Sequence, residues 1–421
     1  MESLEERNQK IIDAVIEKER RLCPGAIALI GVYGSFRTGD IHAHSDLDLL
    51  ILINDDRGYQ LGSTFIQEDF GVGHDIYCTR WESLEADAKY TQPNIAKLMN
   101  SKIVYCADKK YLNQWNALRK RAWRIMAKPF GPADLEKAEK WMNEAREYYG
   151  KAAAVRETDE DRAGEAWPCA LIRAREAAGG VLYCVENAVA MLNKTYFKKG
   201  VHRCYNELAA MKKRPEALIE RIEAVVSAAG LSSLQEALVR LMEAMEETFR
   251  KEREALGQSP EDPERAAAGA GMEVKADIEA AEMSAEANID TAAEMSAEPD
   301  TGTAAEEAPA RRQPMPDDLR GTYEEMISNW MGKMILARQT GDKHLAFMSL
   351  ASCQSMIDDI AAEVEIRDYH VFLAYEPDRL DRTAGNFSVI LLQYALEYEK
   401  VGLKVRRYPD TDAFVEDYVN N

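Results

Sequence analysis

Hydrophobic and polar positions change in short blocks over residues 26–130, and this pattern predicts a small sheet with helices between its strands. The most apolar blocks are Ala26–Tyr33, Leu47–Ile53 and Val72–Thr79, and Gly, Asp and Asn clusters separate them. Blocks of this length that are rich in Ile, Val and Leu are typical of buried strands. We therefore predict an N-terminal domain over residues 1–130 that is built around a mixed sheet.

From Gly131 onward, apolar positions recur at spacings of three and four, which is the period of an amphipathic helix. The first such run extends from Leu135 to Ala152. Further helical runs follow at roughly 166–195, 214–229 and 233–256. Together these runs predict a helical domain over residues 131–256.

Residues 257–316 differ in composition from the chain on either side. They are rich in Ala, Glu, Ser, Thr and Pro and lack aromatic residues, and the six residues 281–286 recur as 293–298. Such a segment buries too little apolar surface to offset the loss of chain entropy on folding. We predict a disordered acidic insert here.

The helical pattern returns over residues 317–421. The predicted helices lie at 319–340, 343–365, 384–401 and 411–419, and the first two form a hairpin that turns at Gly341-Asp342. These residues either complete one bundle with 131–256 or form a separate module. The whole chain is thus predicted to be α+β: a small mixed-sheet domain, a helical bundle, an insert and further helices.

Charge and composition narrow the class of protein. The 421 residues carry a net charge of −20, and residues 261–310 contribute −12 of it. The remainder shows no basic face large enough to follow a phosphate backbone, so a nucleic-acid partner is disfavoured. No apolar run approaches the ~18 residues of a membrane span, and the start has no secretory signal. We expect a cytoplasmic protein without membrane segments.

The seven cysteines are odd in number and widely spaced, and no two are separated by only two residues. This spacing predicts neither a disulfide framework nor a cysteine zinc site. Three histidines, His42, His44 and His74, cluster near acidic residues, but His42 and His44 are expected to face solvent or nucleotide rather than zinc.

The strongest chemical signal is a Gly-Ser turn that is followed ten residues later by paired carboxylates. Gly31–Gly39 reads Gly-Val-Tyr-Gly-Ser-Phe-Arg-Thr-Gly, and the run Ser-Asp-Leu-Asp-Leu begins ten residues after its serine. Alternation along a strand places Asp46 and Asp48 on one face, while Leu47 points into the core. An isolated Asp-x-Asp is most often a solvated strand edge, but the Gly-Ser turn before it favours a functional site here.

Two adjacent carboxylates are costly unless a cation neutralises them, and oxygen ligands suit Mg²⁺ that is shared with substrate phosphates. Gly34 allows a phosphate to approach the backbone closely, and Ser35 adds a hydroxyl. Asp75 lies in another β-type run and supplies a third acid from a neighbouring strand. Three carboxylates suit two metal ions that activate a hydroxyl and stabilise leaving pyrophosphate. The predicted metal ligands are therefore Asp46, Asp48 and Asp75.

This block resembles the nucleotidyltransferases of the DNA polymerase beta-like superfamily, whose signature is Gly-Ser, a gap of similar length, and Asp-x-Asp/Glu. Within it, the chain looks most like the kanamycin nucleotidyltransferase family, which has a similar strand and turn matched by Leu29–Ser35. In that family the acids matched by Asp48 and Asp75 are Glu, so both are shorter here by one methylene. The resemblance covers roughly residues 10–240.

The same resemblance extends to the helix that contains Glu147-Tyr148-Tyr149-Gly150-Lys151. It implies that Glu147 is a general base and that Lys151 contacts phosphate. Spacing alone would indicate an ordinary Glu–Lys surface pair one helical turn apart. Arg37 is a candidate contact to the triphosphate, and the alternative is a loop arginine without that role.

The resemblance further implies Mg²⁺ as cofactor, an NTP such as ATP as co-substrate, and a small hydroxyl-bearing acceptor of the aminoglycoside type. It also implies a homodimer whose sites lie near the subunit interface. Two alternatives remain. One is a nucleotidyltransferase that modifies a protein partner, as an antitoxin-like enzyme does, and the other is a non-catalytic regulator that binds nucleotide.

Overall fold

The computed structural model describes residues 2–34, 45–164, 168–199, 204–257 and 311–421. Residues 1–248 and 312–421 form one compact unit, and residues 249–311 form a second. Most of the predicted acidic insert, residues 258–310, lies outside the described residues. The fold class is α+β as predicted, with a mixed sheet in the N-terminal part and many helices after it.

One six-stranded sheet organises the first unit. Its strands are β1 Ile27–Val32, β2 Leu49–Ile53, β3 Ser63–Gln67, β4 Val72–Arg80, β5 Lys102–Cys106 and β6 Arg407–Tyr408, in the order β5-β1-β2-β4-β3-β6. β1 runs antiparallel to β2 and β5, and β3 runs antiparallel to β4. β2 pairs with β4 in parallel, as does β3 with β6. The three predicted strands correspond to β1, β2 and β4, whereas β3, β5 and β6 were not predicted.

The helices follow the predicted order. They are α1 Leu4–Leu22, α2 Trp81–Ala88, α3 Ala96–Asn100, α4 Lys109–Met126, α5 Pro132–Ala154, α6 Asp159–Ala163, α7 Ala170–Leu192, α8 Tyr205–Ala210, α9 Leu218–Val226, α10 Leu231–Ala255, α11 Pro316–Leu319, α12 Thr322–Met326, α13 Gly332–Thr340, α14 Lys343–Glu363, α15 Leu380–Lys400 and α16 Thr411–Asn420. Short 3-10 segments lie at Asp56–Leu61 and Val371–Ala374.

The first and last helices pack together on one face of the sheet. Apolar residues of α1 and α16 join the buried side chains of β1 and β2 in a single core. Phe414 of α16 stacks on Phe65 of β3 with ring centroids 3.7 Å apart. The Tyr418 hydroxyl donates a 2.6 Å hydrogen bond to the Leu61 carbonyl oxygen. The C-terminal residues are therefore part of the sheet domain.

The bundle is built around the antiparallel pair α5 and α7, which pack against each other over much of their length. A Cβ at Gly180 would lie 2.4 Å from the Tyr148 ring, so the absence of a side chain allows these helices to approach closely. α14 packs on α7 at the neighbouring Gly179, where a Cβ would lie 2.5 Å from Ala351. Part of the C-terminal region therefore also packs on the bundle.

The predicted helix 319–340 is broken in the structure. α11 and α12 are separated by Gly321 at φ +85°, and a single π-helical turn, Ile327–Met331, connects α12 to α13. The predicted hairpin turn is confirmed, because Gly341 adopts φ +72° and Asp342 caps α14 by accepting a hydrogen bond from the Leu345 N–H. The break is important because the π-helical turn packs against β4, the strand that contains Asp75.

Candidate functional site

Three predicted acids meet in one cavity of about 240 Å³ at the end of the central strands. Asp46, Asp48 and Asp75 line it together with Tyr33 and Lys97. The sequence pattern had placed Asp46 and Asp48 on a strand, but β2 begins only at Leu49, so both lie in the extended segment just before it. Asp75 lies on β4, which pairs directly with β2.

The backbone before β2 continues the alternation of the strand even though it lies outside the ladder. Leu47 is buried and points into the core, as predicted, so the flanking acids face the opposite way. The Asp48 carbonyl oxygen accepts a 3.2 Å hydrogen bond from the Tyr33 N–H. This bond fixes the paired acids beside the turn that ends β1.

Gly34 lies directly against the Asp48 carboxylate. Its φ is +64°, a conformation that residues with a Cβ rarely adopt, and a Cβ here would lie 1.6 Å from Asp48 Oδ2. Glycine is therefore required for two independent reasons, backbone conformation and space. The next ten residues, which include Ser35, Arg37, His42 and His44, lie outside the described residues.

Burial raises the pKa values of the Asp46 and Asp75 carboxyl groups. The pKa of Asp75 is raised to about 6, chiefly by burial and further by the charge of Asp46, while Lys97 opposes the shift. Burial also raises the pKa of Asp46, against the attraction of Lys333 and Arg7. A cation bound beside these carboxylates would offset the cost of burying their charge and the repulsion of Asp75 by Asp46.

His74 supports the segment that carries Asp46 and Asp48. It is buried on β4, and its Nδ1 accepts a 3.3 Å hydrogen bond from the Leu47 N–H. Its Nε2 lies 3.2 Å from Gln67 Oε1 and donates to it once Nδ1 is the acceptor. Burial lowers the pKa of His74 well below its usual range, so the ring is neutral near pH 7. His74 therefore positions the acids without adding charge.

Arg7 of α1 supports the same segment from the other side. The whole residue is buried, and its Nη2 donates a 2.9 Å hydrogen bond to the Ser45 carbonyl oxygen. Burial lowers the pKa of Arg7 to about 10, and the negative charge of Asp46 opposes that shift. At neutral pH this arginine remains charged and partly balances the acids.

Two polar side chains from the C-terminal region complete the cavity, and the sequence pattern predicted neither as a site residue. Glu325 of α12 and Asn329 of the π-helical turn line it with the three aspartates. Burial and the charge of Asp75 raise the pKa of Glu325 to about 7. Ser328 Oγ lies 3.5 Å from Asp46 Oδ2. The one available signal was weak: Glu325 and Asn329 are polar residues one turn apart in a helix rich in apolar residues.

Glu147 and Lys151 lie elsewhere in the described structure. Lys151 lines a second cavity of about 690 Å³ between α5, α7 and α14, and its Nζ lies 5.0 Å from the Tyr148 ring centroid. Glu147 is exposed on α5 and is not among the residues lining either of these cavities. Within one chain, the structure thus does not bring these two residues to the three aspartates.

The comparison with known protein families gives one finding. Residues 9–104 match the family model described as the nucleotidyltransferase domain, and the match includes the Gly34 turn, Asp46, Asp48 and Asp75. Domains of this kind transfer a nucleoside monophosphate and generally use an NTP and a divalent metal ion. No curated protein matches the chain. In the described residues, no helix is long and apolar enough to cross a membrane.

Proposed function

We propose that this protein transfers a nucleoside monophosphate from ATP or another NTP to a hydroxyl of a small acceptor and releases pyrophosphate. The observation that carries the proposal is the meeting of Asp46, Asp48 and Asp75 in one cavity beside the Gly34 turn. This cavity lies in the segment that matches the nucleotidyltransferase domain, apart from its C-terminal wall.

The donor atoms fit Mg²⁺. The three aspartates offer only carboxylate oxygens, which are hard ligands, and the raised pKa values of Asp46 and Asp75 reflect burial that a cation would offset. When bound, Mg²⁺ would neutralise phosphate charge and lower the pKa of the attacking hydroxyl. The carboxylates of Asp46, Asp48 and Asp75 would hold it, and Arg7 and His74 would keep the carrying segment in place.

The chain provides positive charge and backbone donors for the triphosphate. Lys97 lines the acid cavity, and its Nζ lies 4.4 Å from the Tyr77 ring centroid, which orients the ammonium group. Gly34 remains a predicted phosphate contact that rests on the resemblance, as do Ser35 and Arg37.

Proton removal from the acceptor hydroxyl needs a base, and three carboxylates are candidates. Asp75 and Glu325 line the cavity, whereas Glu147 does not. Asp75 is assigned to the metal and Glu325 reaches the cavity within the same chain, so we favour Glu325 as the proton acceptor. The alternative, Glu147, would require the proposed homodimer to bring the partner subunit's α5 to this cavity.

The charge of the second cavity supports the proposed acceptor class if the homodimer brings this cavity to the aspartates of the partner subunit. Its walls carry the acidic side chains of Glu144, Glu176 and Asp358. Two basic residues, Lys151 and Arg173, lie among them. An excess of carboxylates suits an acceptor with several ammonium groups, such as an aminoglycoside. This supports the expected acceptor class.

An intact-mass assay tests the proposal. The purified chain is mixed with Mg²⁺, each of the four NTPs and a panel of aminoglycosides, and both small molecules and protein are scored for added nucleotide mass. We expect a gain on one small acceptor. Asp46→Asn should reduce that gain at least ~100-fold because a metal ligand is lost. Asp13→Asn, an exposed residue of α1, is the matched control and should retain activity.

Other outcomes of this assay would change the assignment. A nucleotide gain on a protein would move the acceptor from a small molecule to a polypeptide. Full activity of Asp46→Asn would show that the metal assignment is wrong. Nucleotide binding without turnover, over the whole panel, would favour the non-catalytic regulator.

A further inference from the structure

A second group of potential metal ligands lies in the helical part of the chain, among residues unrelated to the acid cavity. Glu186 of α7, Cys204 just before α8 and His344 of α14 each offer one ligand atom, and these atoms lie within 4.8 Å of one another. All three side chains are buried, with exposed fractions of 0%, 0% and 1%. Three segments that are distant in sequence therefore meet at one point.

One oxygen in this cluster is unsatisfied. His344 Nε2 lies 2.5 Å from Glu186 Oε1, which accounts for one carboxylate oxygen. Glu186 Oε2 is buried and makes no hydrogen bond among the described residues. An unpaired buried carboxylate oxygen is costly, so this atom points to a ligand that the protein alone does not supply.

We propose that Glu186, Cys204 and His344 bind a zinc ion that joins α7, the start of α8 and α14. The donor set of one thiolate, one imidazole and one carboxylate is typical of zinc, and it differs from the all-oxygen set of the acid cavity. With a neutral His344, the two negative ligands match the charge of Zn²⁺, so the buried site carries no net charge.

The geometry is compatible with this ion. Ligand atoms about 2.0–2.3 Å from zinc lie roughly 3.3–3.6 Å apart at tetrahedral angles. His344 Nε2 and Glu186 Oε1 would separate by about 1 Å from their present distance. Tyr205 stacks on the His344 ring at 4.2 Å between centroids and keeps its plane fixed. A water molecule would fill the fourth position.

Binding is coupled to proton release. A cysteine binds zinc as the thiolate, so the Cys204 thiol has to lose its proton. Zinc binding forms the Zn–S bond and releases that proton to solvent. Nε2 coordinates only as the acceptor nitrogen of the ring, so the one proton of a neutral His344 is on Nδ1 in the zinc-bound site.

Cobalt binding to the full chain tests the proposal. The protein is stripped with a chelator, then titrated with Co²⁺ in excess Mg²⁺ so that the acid cavity is blocked. We expect one equivalent to produce the near-ultraviolet band of a cobalt–thiolate bond, and Zn²⁺ to displace it. Absence of that band in the wild-type chain would overturn the proposal whatever the variants show.

Two cysteine variants locate the site. Cys204→Ala should lose the band and weaken zinc binding at least tenfold, since one of three protein ligands is gone. Cys353→Ala removes another fully buried thiol and should leave both unchanged. Equal zinc binding by the two variants would also overturn the proposal. Circular dichroism of each variant shows that it is folded.

Discussion

At the residue scale, the acid cavity stores unfavourable electrostatic energy in the metal-free chain. Asp75 and Glu325 have pKa values raised to about 6 and about 7, and each is raised partly by a neighbouring acid in the same cavity. Groups with raised carboxyl pKa values destabilise the folded state once they ionise. These acids therefore lower the stability of the metal-free protein and favour the binding of a cation.

Replacing Asp75 by Asn should stabilise the metal-free protein in a pH-dependent way. The folded pKa of about 6 exceeds the unfolded value of ~3.9, so the cost of ionising Asp75 is absent below about pH 4 and complete above about pH 6. In chelator, we expect Asp75→Asn to raise Tm by about 2–4 °C at pH 7 and by almost nothing near pH 4. Thermal denaturation monitored by circular dichroism measures this difference. A constant gain at all pH values would contradict it.

Replacing Gly34 by Ala should disrupt the same cavity through a steric clash and backbone strain. The new methyl group would lie 1.6 Å from Asp48 Oδ2, and the φ of +64° adds backbone strain. We expect a stability loss of about 1–3 kcal/mol and at least a tenfold loss of nucleotidyl transfer. Urea denaturation and the mass assay measure the two effects.

Gly385→Ala is the matched control for that experiment. Gly385 lies inside α15, and nothing lies within 4 Å of the position its Cβ would occupy. Alanine there should stabilise the helix by up to about 1 kcal/mol and leave transfer unchanged. If Gly34→Ala behaves like Gly385→Ala, the close approach to Asp48 does not constrain the site.

At the element scale, sequence periodicity predicted β1, β2, β4 and most helices but neither β3 nor the two edge strands. β1 and β2 are continuous apolar runs because they are buried in the sheet, and such runs are visible in the sequence. β4 is less uniform, since it includes His74, Asp75 and the exposed Tyr77. β5 has two exposed residues, Lys102 and Val104, so its pattern is weaker. β6 has two residues, and its pairing with β3 is fixed by tertiary contacts.

The π-helical turn shows a second limit of periodicity. The repeat of apolar residues over 319–340 fits one continuous helix, yet the chain inserts a wider turn at Ile327–Met331. This turn packs on a strand distant in sequence: the backbone of Gly73 on β4 approaches it so closely that a Cβ would lie 2.6 Å from the Ser328 nitrogen. Single π-helical turns within helices are frequently found at functional sites.

Gly73→Ala should therefore displace this element rather than the acids themselves. The added methyl group would push the turn away from β4, together with Asn329 and Glu325. We expect transfer to fall about tenfold through kcat, with a stability loss of about 1–3 kcal/mol from overpacking. Steady-state kinetics and urea denaturation test this. An unchanged kcat in a folded variant would show that the C-terminal wall of the cavity takes no part in transfer.

At the scale of the whole molecule, the C-terminal residues pack on both the sheet and the bundle. The Glu324 carboxylate accepts hydrogen bonds from the Arg406 N–H and the Tyr398 hydroxyl, both at 2.7 Å, next to the cavity residue Glu325. The sequence left open whether 317–421 complete the bundle or form a module of their own. It could not decide, because contacts such as Phe65 with Phe414 join positions that no local pattern relates.

A chain that ends at residue 256 should consequently be unstable and inactive. Without α16, the Phe65 ring would lose its stacking partner and be exposed to solvent. The truncated chain would also lack Glu325 and Asn329, which line the acid cavity. We expect aggregation or a Tm at least about 10 °C below that of the full chain. Size-exclusion chromatography and calorimetry test this. A monomeric truncated chain with wild-type Tm and transfer activity would contradict it.

The pairing of β3 with β6 has a consequence for synthesis. The hydrogen bond from the Ile66 N–H to the Arg406 carbonyl oxygen joins residues about 340 positions apart. At roughly 5–20 residues per second, a ribosome needs about 20–70 s to travel from one to the other. During that interval the nascent N-terminal strands leave the exit tunnel without this edge partner, which leaves the backbone of β3 unpaired on that side. The acid cavity is likewise complete only after Glu325 and Asn329 have emerged.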